Sequence, residues 1–378
     1  NSMPKEMQNI RFVDAKSLFN SIGFVYTIDA WIKSIYLGFS PKYEIYSLVH
    51  KNIREKPINR FIINKLSKYI KFIYDDKLIS KYKPYERSLN SYSTIFTKLK
   101  KDYAIYAQSG GIAIQQIWDK NRLQPLFNLT KEEIDYGWRE LSKHGIKKSD
   151  WFVAIHVRDP SFKGIEYYRD VDIEDYYKSF EAISKRGGWI IRLGDPKVKP
   201  LPKMKNVLDY PFTGIRSDMM DIFISAVSRF MIGTSSGMAA VSYIFNTPIA
   251  MTNYQPLTTL YLRQKDLYLP RLLKFKKNNE YLSFNQLFKL PYSYGTSDGF
   301  YENILEVDVI TNTEDEIREL IEEMIDKTNK EFEVNENRSI KQQKIDLIIK
   351  KNNPFLFDEL NFKTKIGEKF LERHKDLI

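Results

Sequence analysis

The chain has 378 residues, 43% hydrophobic and 28% charged; at roughly 150 residues per domain this is one large domain or two, and the composition is that of a folded globular protein, neither disordered nor fibrous. It contains no cysteine, which excludes a disulfide framework, a thiolate zinc site, an iron–sulfur cluster and a cysteine nucleophile together. Lys and Arg outnumber Asp and Glu by 59 to 48, a formal charge of +11, which attracts phosphates, nucleic acid or an anionic membrane face without choosing among them.

In chain order, a short apolar piece at Arg11 to Val13 is followed by Ser21-Ile22-Gly23 and by Thr27 to Leu37, where Ile28, Trp31, Ile32 and Ile35 recur at helical spacing. Tyr43 to Val49 reads as a strand, and this β-loop-α-β order predicts a layered, nucleotide-binding-like domain. Residues 52–106 read as mainly helical, Asn59 to Ile73 most clearly, and Gly110-Gly111 reads as a break. Glu132 to Lys143 is predicted to be a helix with Thr130 as N-cap, Glu133 in the capping-box position and Gly145 at its end.

From Trp151 the pattern sharpens. Trp151 to Val157 is an apolar run broken only by His156, as in a strand covered on both faces. Strands at Gly188 to Leu193, Val207 to Asp209, Phe230 to Ile232 and Pro248 to Met251 alternate with helices at Ile173 to Lys185, Asp218 to Val227 and Met238 to Phe245. That alternation predicts a doubly wound parallel sheet, with function at the C-terminal ends of its strands. Thr313 and Glu316 open a helix with Ile317, Leu320, Ile321, Met324 and Ile325 on one face. Lys327 to Lys344 reads as a charged, solvated connector and Asn361 to Leu377 as a terminal helix. No run approaches the about 18 apolar residues of a membrane span, and no basic segment leads into an apolar one at the N-terminus. The expected location is the cytoplasm, with peripheral contact at the inner membrane face as the alternative.

Three strand ends carry candidate chemistry. In His156-Val157-Arg158-Asp159, alternate residues share a face, so His156 and Arg158 point the same way at the strand mouth. An arginine there can hold phosphate oxygens bidentately and stabilise a departing diphosphate; the structural alternative is a core histidine and an Arg158–Asp159 pair closing the strand. Gly233-Thr234-Ser235-Ser236-Gly237 is a turn of small residues between strand and helix, suited to cradling an anion on backbone N–H groups and hydroxyls. It also spells G-x-S-x-G, the nucleophile elbow of a serine hydrolase on Ser235, for which His374 is the only later histidine. In Arg192-Leu193-Gly194-Asp195, Asp195 is placed to accept from a base or ribose, while Arg192 is either functional or structural. No metal-ligand spacing occurs at these strand ends; Asp170-Val171-Asp172 spells D-x-D but opens a helix, where capping is the expected role.

Taken together, AIHVRD (154–159), YYRDVDIEDYYKSFEAI (167–183), WIIRLGD (189–195), VLDYP (207–211) and the stretch from Ser217 to Asn253 resemble a family of bacterial glycosyltransferases found in surface-polysaccharide gene clusters. More distantly, H-x-R and the later D-x-F-x-S and F-x-I-G-x-x-S blocks resemble the α-1,6- and protein O-fucosyltransferases. The resemblance implies a GT-B architecture, two Rossmann-like domains facing across a cleft, and a GDP-sugar donor used without a metal. It gives Arg158, Ser235 and Ser236 the donor diphosphate, matches His156 to the motif histidine, and places Ser21-Ile22-Gly23 as an N-domain loop over the cleft. The chain departs from the pattern at Asp159, which follows Arg158 directly where the fucosyltransferases have a spaced acid or a second arginine. Asp14 or Asp29 is the candidate base on the acceptor side.

The resulting expectation is an α/β, GT-B-like glycosyltransferase with an acceptor-side domain at 1–147, a nucleotide-sugar domain at 148–330 and a charged helical extension at 331–378. Arg158, His156 and Asp159 form the catalytic group, Gly194, Asp195, Gly233, Thr234, Ser235, Ser236 and Gly237 bind the donor, and the acceptor is a glycan or lipid-linked. No metal cofactor and no nucleic-acid partner are expected: the basic residues are dispersed, with no arginine-rich helix or RNP-like pattern. The rival readings are the Ser235 hydrolase and a basic nucleic-acid-binding protein.

Overall fold

A computed structural model describes residues 7–54, 57–86, 94–96, 104–158, 167–257, 263–295, 297–329, 338–352 and 364–378. Its N-terminal part holds a parallel sheet of β1 (Ile10–Phe12), β2 (Glu44–Leu48) and β3 (Ile70–Ile73), joined by α1 (Ala15–Asn20), α2 (Val25–Tyr36), α3 (Lys51–Arg54) and α4 (Arg60–Leu66). After α5 (Asp76–Tyr82), β4 (Thr94–Phe96) and β5 (Ala104–Tyr106) form an antiparallel pair, followed by α6 (Ala107–Lys120) and α7 (Lys131–Ser142). The capping box at the start of α7 is present as expected: Thr130 Oγ1 accepts from the Glu133 N–H and the Glu133 side chain answers to Thr130.

Two expectations fail here for identifiable reasons. The helix expected from Asn59 to Ile73 is two elements: Asn59 caps α4 by accepting from the Ile62 N–H at 2.9 Å, and Ile70–Ile73 pairs with β2 as a strand. An apolar run that short fits either period, and only the sheet beside it decides. Nor do the glycines at 110 and 111 break a helix; both lie inside α6. A Cβ on Gly111 would sit 2.6 Å from the Tyr26 hydroxyl and 3.2 Å from Ala30 Cβ, so this glycine is what lets α6 approach α2 so closely.

The second half is built on one sheet of parallel strands, in the order β14-β11-β10-β9-β6-β7-β8. These are β6 (Phe152–His156), β7 (Trp189–Arg192), β8 (Val207–Asp209), β9 (Met231–Gly233), β10 (Ile249–Tyr254), β11 (Leu267–Pro270) and β14 (Lys365–Ile366); β12 (Leu272–Phe275) and β13 (Val307–Ile310) form a separate antiparallel pair. Every residue of β9, β10 and β11 is buried, the pattern of a sheet with helices on both faces. Those helices are α8 (Tyr177–Lys185), α9 (Asp218–Val227), α10 (Gly237–Ile244) and α12 (Glu314–Thr328), with α11 (Phe284–Leu287), α13 (Ile340–Asn352) and α14 (Glu368–Arg373) beyond them. The apolar face expected on α12, from Ile317 to Ile325, is buried as read.

The C-terminal part differs from the expected charged helical extension. Part of the predicted connector is α13, which buries Gln342, Ile345 and Ile349, and the predicted terminal helix yields β14, an edge strand of the main sheet, before α14. Charge spacing hides both, because Lys-rich stems cover a buried stripe while their heads stay in water.

The two halves share one hydrophobic core, in which Trp31, Ile62 and Leu66 belong to the same cluster as Phe223, Tyr243 and Ile244. Tyr26 and Tyr243 meet edge to face with ring centroids 4.9 Å apart. The Asn59 amide donates to the Asp218 carbonyl at 2.9 Å, and the Arg60 N–H donates to the Asp218 carboxylate at 2.6 Å. Ser21-Ile22-Gly23 lies against the first turn of α10. A Cβ on Gly237 would stand 2.8 Å from Ile22 Cγ2 and 2.9 Å from the Gly23 nitrogen, and one on Gly23 would stand 3.1 Å from Gly237 Cα. Replacing Gly237 by Ala should therefore destabilise the protein by about 1 to 3 kcal/mol, the range for overpacking. Gly214→Ala, at an exposed glycine where an added Cβ meets nothing within 4 Å, should stay within about 0.5 kcal/mol of the parent; urea denaturation of the two variants checks the difference.

Candidate functional site

Strands β6, β7 and β8 run outward in one direction of the sheet, while β9, β10 and β11 run outward in the other. The order reverses between β6 and β9, where His156 pairs in register with Gly233. A doubly wound sheet opens a crevice at such a reversal, above the C-terminal strand ends. The first two sequence segments therefore meet at one place. His156 Nδ1 lies 3.0 Å from Ser236 Oγ, and the Arg158 N–H donates to Thr234 Oγ1 at 3.1 Å. Ser236 occupies the N-cap position of α10, yet its hydroxyl makes no cap bond and turns to His156 instead. Ser235 Oγ donates to the Gln255 carbonyl at 2.9 Å, and Thr252 Oγ1 donates to the Gly233 carbonyl at 3.2 Å, so the turn is tied to β10 as well.

Asp159 lies outside the described residues; among those described, the Arg158 guanidinium meets Asp170, whose Oδ1 accepts from Nε at 3.0 Å. The capping role expected for Asp170-Val171-Asp172 holds for Asp172, which accepts from the Glu174 N–H. It fails for Asp170, because a carboxylate this close to a guanidinium gains more from the charged partner than from a backbone amide. A second cation, Arg169, donates from Nη2 to the Ser235 carbonyl. Sequence reasoning passed over Arg169: it ends a 3-10 turn, Tyr167–Arg169, too short for periodicity to tell which way a side chain points.

In the third segment Arg192 is a structural residue. Arg192 is 3% exposed and is held by Asp209 Oδ1, at 2.6 Å from Nε, and by the Lys199 carbonyl, at 2.9 Å from Nη1. Asp195 is exposed and its Oδ1 accepts from the Lys197 N–H at 3.0 Å, closing a local turn, while a Cβ added to Gly194 would meet Pro211 and Val198 at ordinary contact distance. Neither acceptor-side candidate is a free base. Asp14 caps α1 through the Lys16 and Ser17 amides, and Asp29, 1% exposed, is paired with Lys33 at 2.6 Å. The hydrolase arrangement is absent: the Ser235 hydroxyl donates to a main-chain carbonyl, and His374 lies 2.6 Å from Glu316 on α12. Among the described residues, no group of His, Asp and Glu side chains forms a metal-binding cluster.

Burial holds the His156 imidazole down to a pKa of about 4, so at neutral pH it is an uncharged hydrogen-bonding group. Burial also pulls the Arg271 guanidinium, behind the site, down to about 10, against the opposing pull of Tyr176 and Asp170. Even so it stays cationic at neutral pH. Arginines beside a neutral imidazole, hydroxyls and a small-residue turn before a helix, at the strand ends where a doubly wound sheet opens, suit an anionic ligand.

No protein-family model matches the chain, and no curated protein does. Among solved structures, it is similar to the glycosyl transferase family 9 protein of Veillonella parvula DSM 2008, with a TM-score of 0.51 and 11% identity over 86% of this chain and 99% of that one. Two others superpose more loosely. The iron-containing dodecameric heptosyltransferase TibC of enterotoxigenic E. coli, in complex with ADP-D-β-D-heptose, gives 0.38 and 10% identity over 84% of this chain and 76% of that one. The E. coli heptosyltransferase WaaC with ADP gives 0.35 and 12% identity over 84% and 99%. At such identities the likeness is one of fold: this chain is a mixed α/β protein with a large parallel sheet, as the family 9 glycosyl transferase is.

Proposed function

We propose that the protein is a glycosyltransferase that binds a nucleotide-diphosphate sugar in the crevice between β6 and β9. The observation that carries this reading is the meeting, at the reversal of strand order, of Arg158, His156 and the Thr234–Ser236 turn. The shared fold with a family 9 glycosyl transferase supports the reaction class, and the fucosyltransferase-like H-x-R and G-x-x-S blocks favour a GDP-sugar. The acceptor is a glycan or lipid-linked glycan of a bacterial surface polysaccharide, and the +11 charge suits both an anionic donor and work beside an anionic membrane. The halves 1–147 and 148–330 act as acceptor-side and donor-side domains.

In this mechanism the acceptor hydroxyl oxygen bonds to the anomeric carbon and releases its proton to water as the bond from that carbon to the diphosphate oxygen breaks, and negative charge grows on the leaving diphosphate. Arg158 faces that charge with a planar fork, His156 contributes a neutral ring held by Ser236, and the turn contributes hydroxyls and backbone N–H groups. Charge neutralisation falls to arginines and not to a D-x-D-bound metal, because Asp170 is engaged by Arg158 and Asp172 by the Glu174 amide.

Thermal shift against GDP, UDP, CMP, CDP and dTDP tests the donor reading: a saturating nucleotide at 100 times its Kd stabilises by about 2.7 kcal/mol, and the expected result is one clear responder, GDP. Arg158→Lys and Arg158→Ala should both cut turnover on the order of 10²-fold or more, since a point charge does not replace the fork. An Arg158→Ala variant that melts earlier but keeps its activity per folded molecule overturns the assignment. His156 adds a pH signature. Its folded pKa of about 4 lies below the ordinary 6.5, so the unfolded chain takes up the proton first. Its neutral burial therefore adds no penalty above pH 6.5 and costs stability progressively as pH falls toward 4, roughly 3 kcal/mol in all. Unfolding free energies of His156→Gln and the parent between pH 7.5 and 4 should diverge by that amount in favour of the variant; parallel curves contradict it.

A further inference from the structure

We propose that Asp170 is a positioning residue for Arg158, and that Arg271 holds Asp170 where it can play this part; the proposal rests on the reading of Arg158 as the diphosphate-binding arginine. Asp170 Oδ1 accepts from Arg158 Nε at 3.0 Å, with the two side chains only 9% and 12% exposed. Nε is the stem edge of the guanidinium. A carboxylate there fixes the plane of the fork, not only its charge. Main-chain bonds tie the two residues in parallel: the Val171 N–H donates to the Arg158 carbonyl at 3.0 Å, and Arg271 Nη2 donates to the Asp170 carbonyl at 2.8 Å.

Arg271 is itself 3% exposed and firmly placed. Its backbone N–H donates to the Tyr254 carbonyl at 3.1 Å, its Nε to the Asn253 carbonyl at 3.4 Å and its Nη1 to Thr311 Oγ1 at 3.3 Å. Asn253 is fixed in turn by Asn312: each side-chain oxygen accepts the other's backbone N–H, at 2.6 and 2.8 Å. A continuous line of contacts thus runs from β10 and the residue after β13 through Arg271 and Asp170 to Arg158. A long arginine side chain left to itself samples many rotamers; this line selects one before the donor arrives, which is how a first contact is made productive.

The experiment measures GDP affinity by calorimetry and the rate of GDP release from GDP-fucose for Asp170→Ala, Asp170→Asn, Asp170→Glu, Arg158→Ala and Arg158→Ala/Asp170→Ala. Positioning predicts a kcat for Asp170→Ala lower on the order of 10- to 100-fold, with KM little changed. Asp170→Asn, which keeps an oxygen acceptor, should recover most of the rate, and the double variant should be no slower than Arg158→Ala. Asp170→Glu keeps the charge but displaces the fork, so it should remain slow; wild-type turnover in this variant overturns the proposal, and it remains decisive where the alanine variant folds poorly. Tighter GDP binding in Asp170→Ala and Asp170→Asn, the sign of a carboxylate that merely masks Arg158, also overturns it. A chain that binds none of the five nucleotides ends the donor reading and this proposal with it, whereas loss of activity in Arg158→Ala with unaffected Asp170 variants ends this proposal alone.

Discussion

The head of the large sheet depends on one parallel pairing, β6 with β9. Because His156 stands opposite Gly233, the residues that continue each strand emerge side by side, and their polar groups must satisfy one another or face the crevice. Thr234 and Ser236 do the former, reaching across to the Arg158 amide and the His156 ring. Gly233 is buried, and a Cβ there would reach Ala239 at 3.4 Å and Met251 Sδ at 3.8 Å. A one-residue slip of this register would turn His156 to the opposite face of the sheet and separate it from Ser236.

Charge burial follows a consistent pattern away from the crevice. Asp29 pairs with Lys33, which also donates to Gln115 at 2.7 Å, and Arg263 is enclosed with Asp266 while donating to the carbonyls of Tyr243 and Thr247. Asp266 in turn accepts from the Ile249 amide at 2.8 Å, joining the approach to β11 to the start of β10. Buried pairs of this kind return little net stability against hydrophobic replacements, but a single partner left behind is costly. They act best as registration devices, and here they fix where β11, and with it Arg271, begins.

Much of the large sheet was readable because its strands are uniform apolar runs ended by glycine or polar residues, as in Trp151 to Val157 and Phe230 to Gly233. The capping boxes at Thr130 and Thr313 were equally plain, since a cap is local chemistry. Elements that depend on a distant neighbour were not. Ile70–Ile73 became a strand through β2, and Lys365–Ile366 through β11. At the crevice the chain spelling brought forward His156, Arg158 and the Gly233 to Gly237 turn, because each follows a strand. It gave no sign of Arg169 or Arg271, and it assigned Asp170 to a cap, because loop residues carry no period from which a direction could be taken.

Gly23 and Gly237 have a mechanical meaning beyond their size. Where two backbones approach this closely, the repulsive wall formed with the Ile22 side chain resists compression, and the edge-to-face rings of Tyr26 and Tyr243 interlock beside it. Directional bonds from Asn59 and Arg60 to Asp218 add a tether on the neighbouring helices. The joint is stiff against closing further, and a slide along the plane of contact would have to break that ring contact and that tether together.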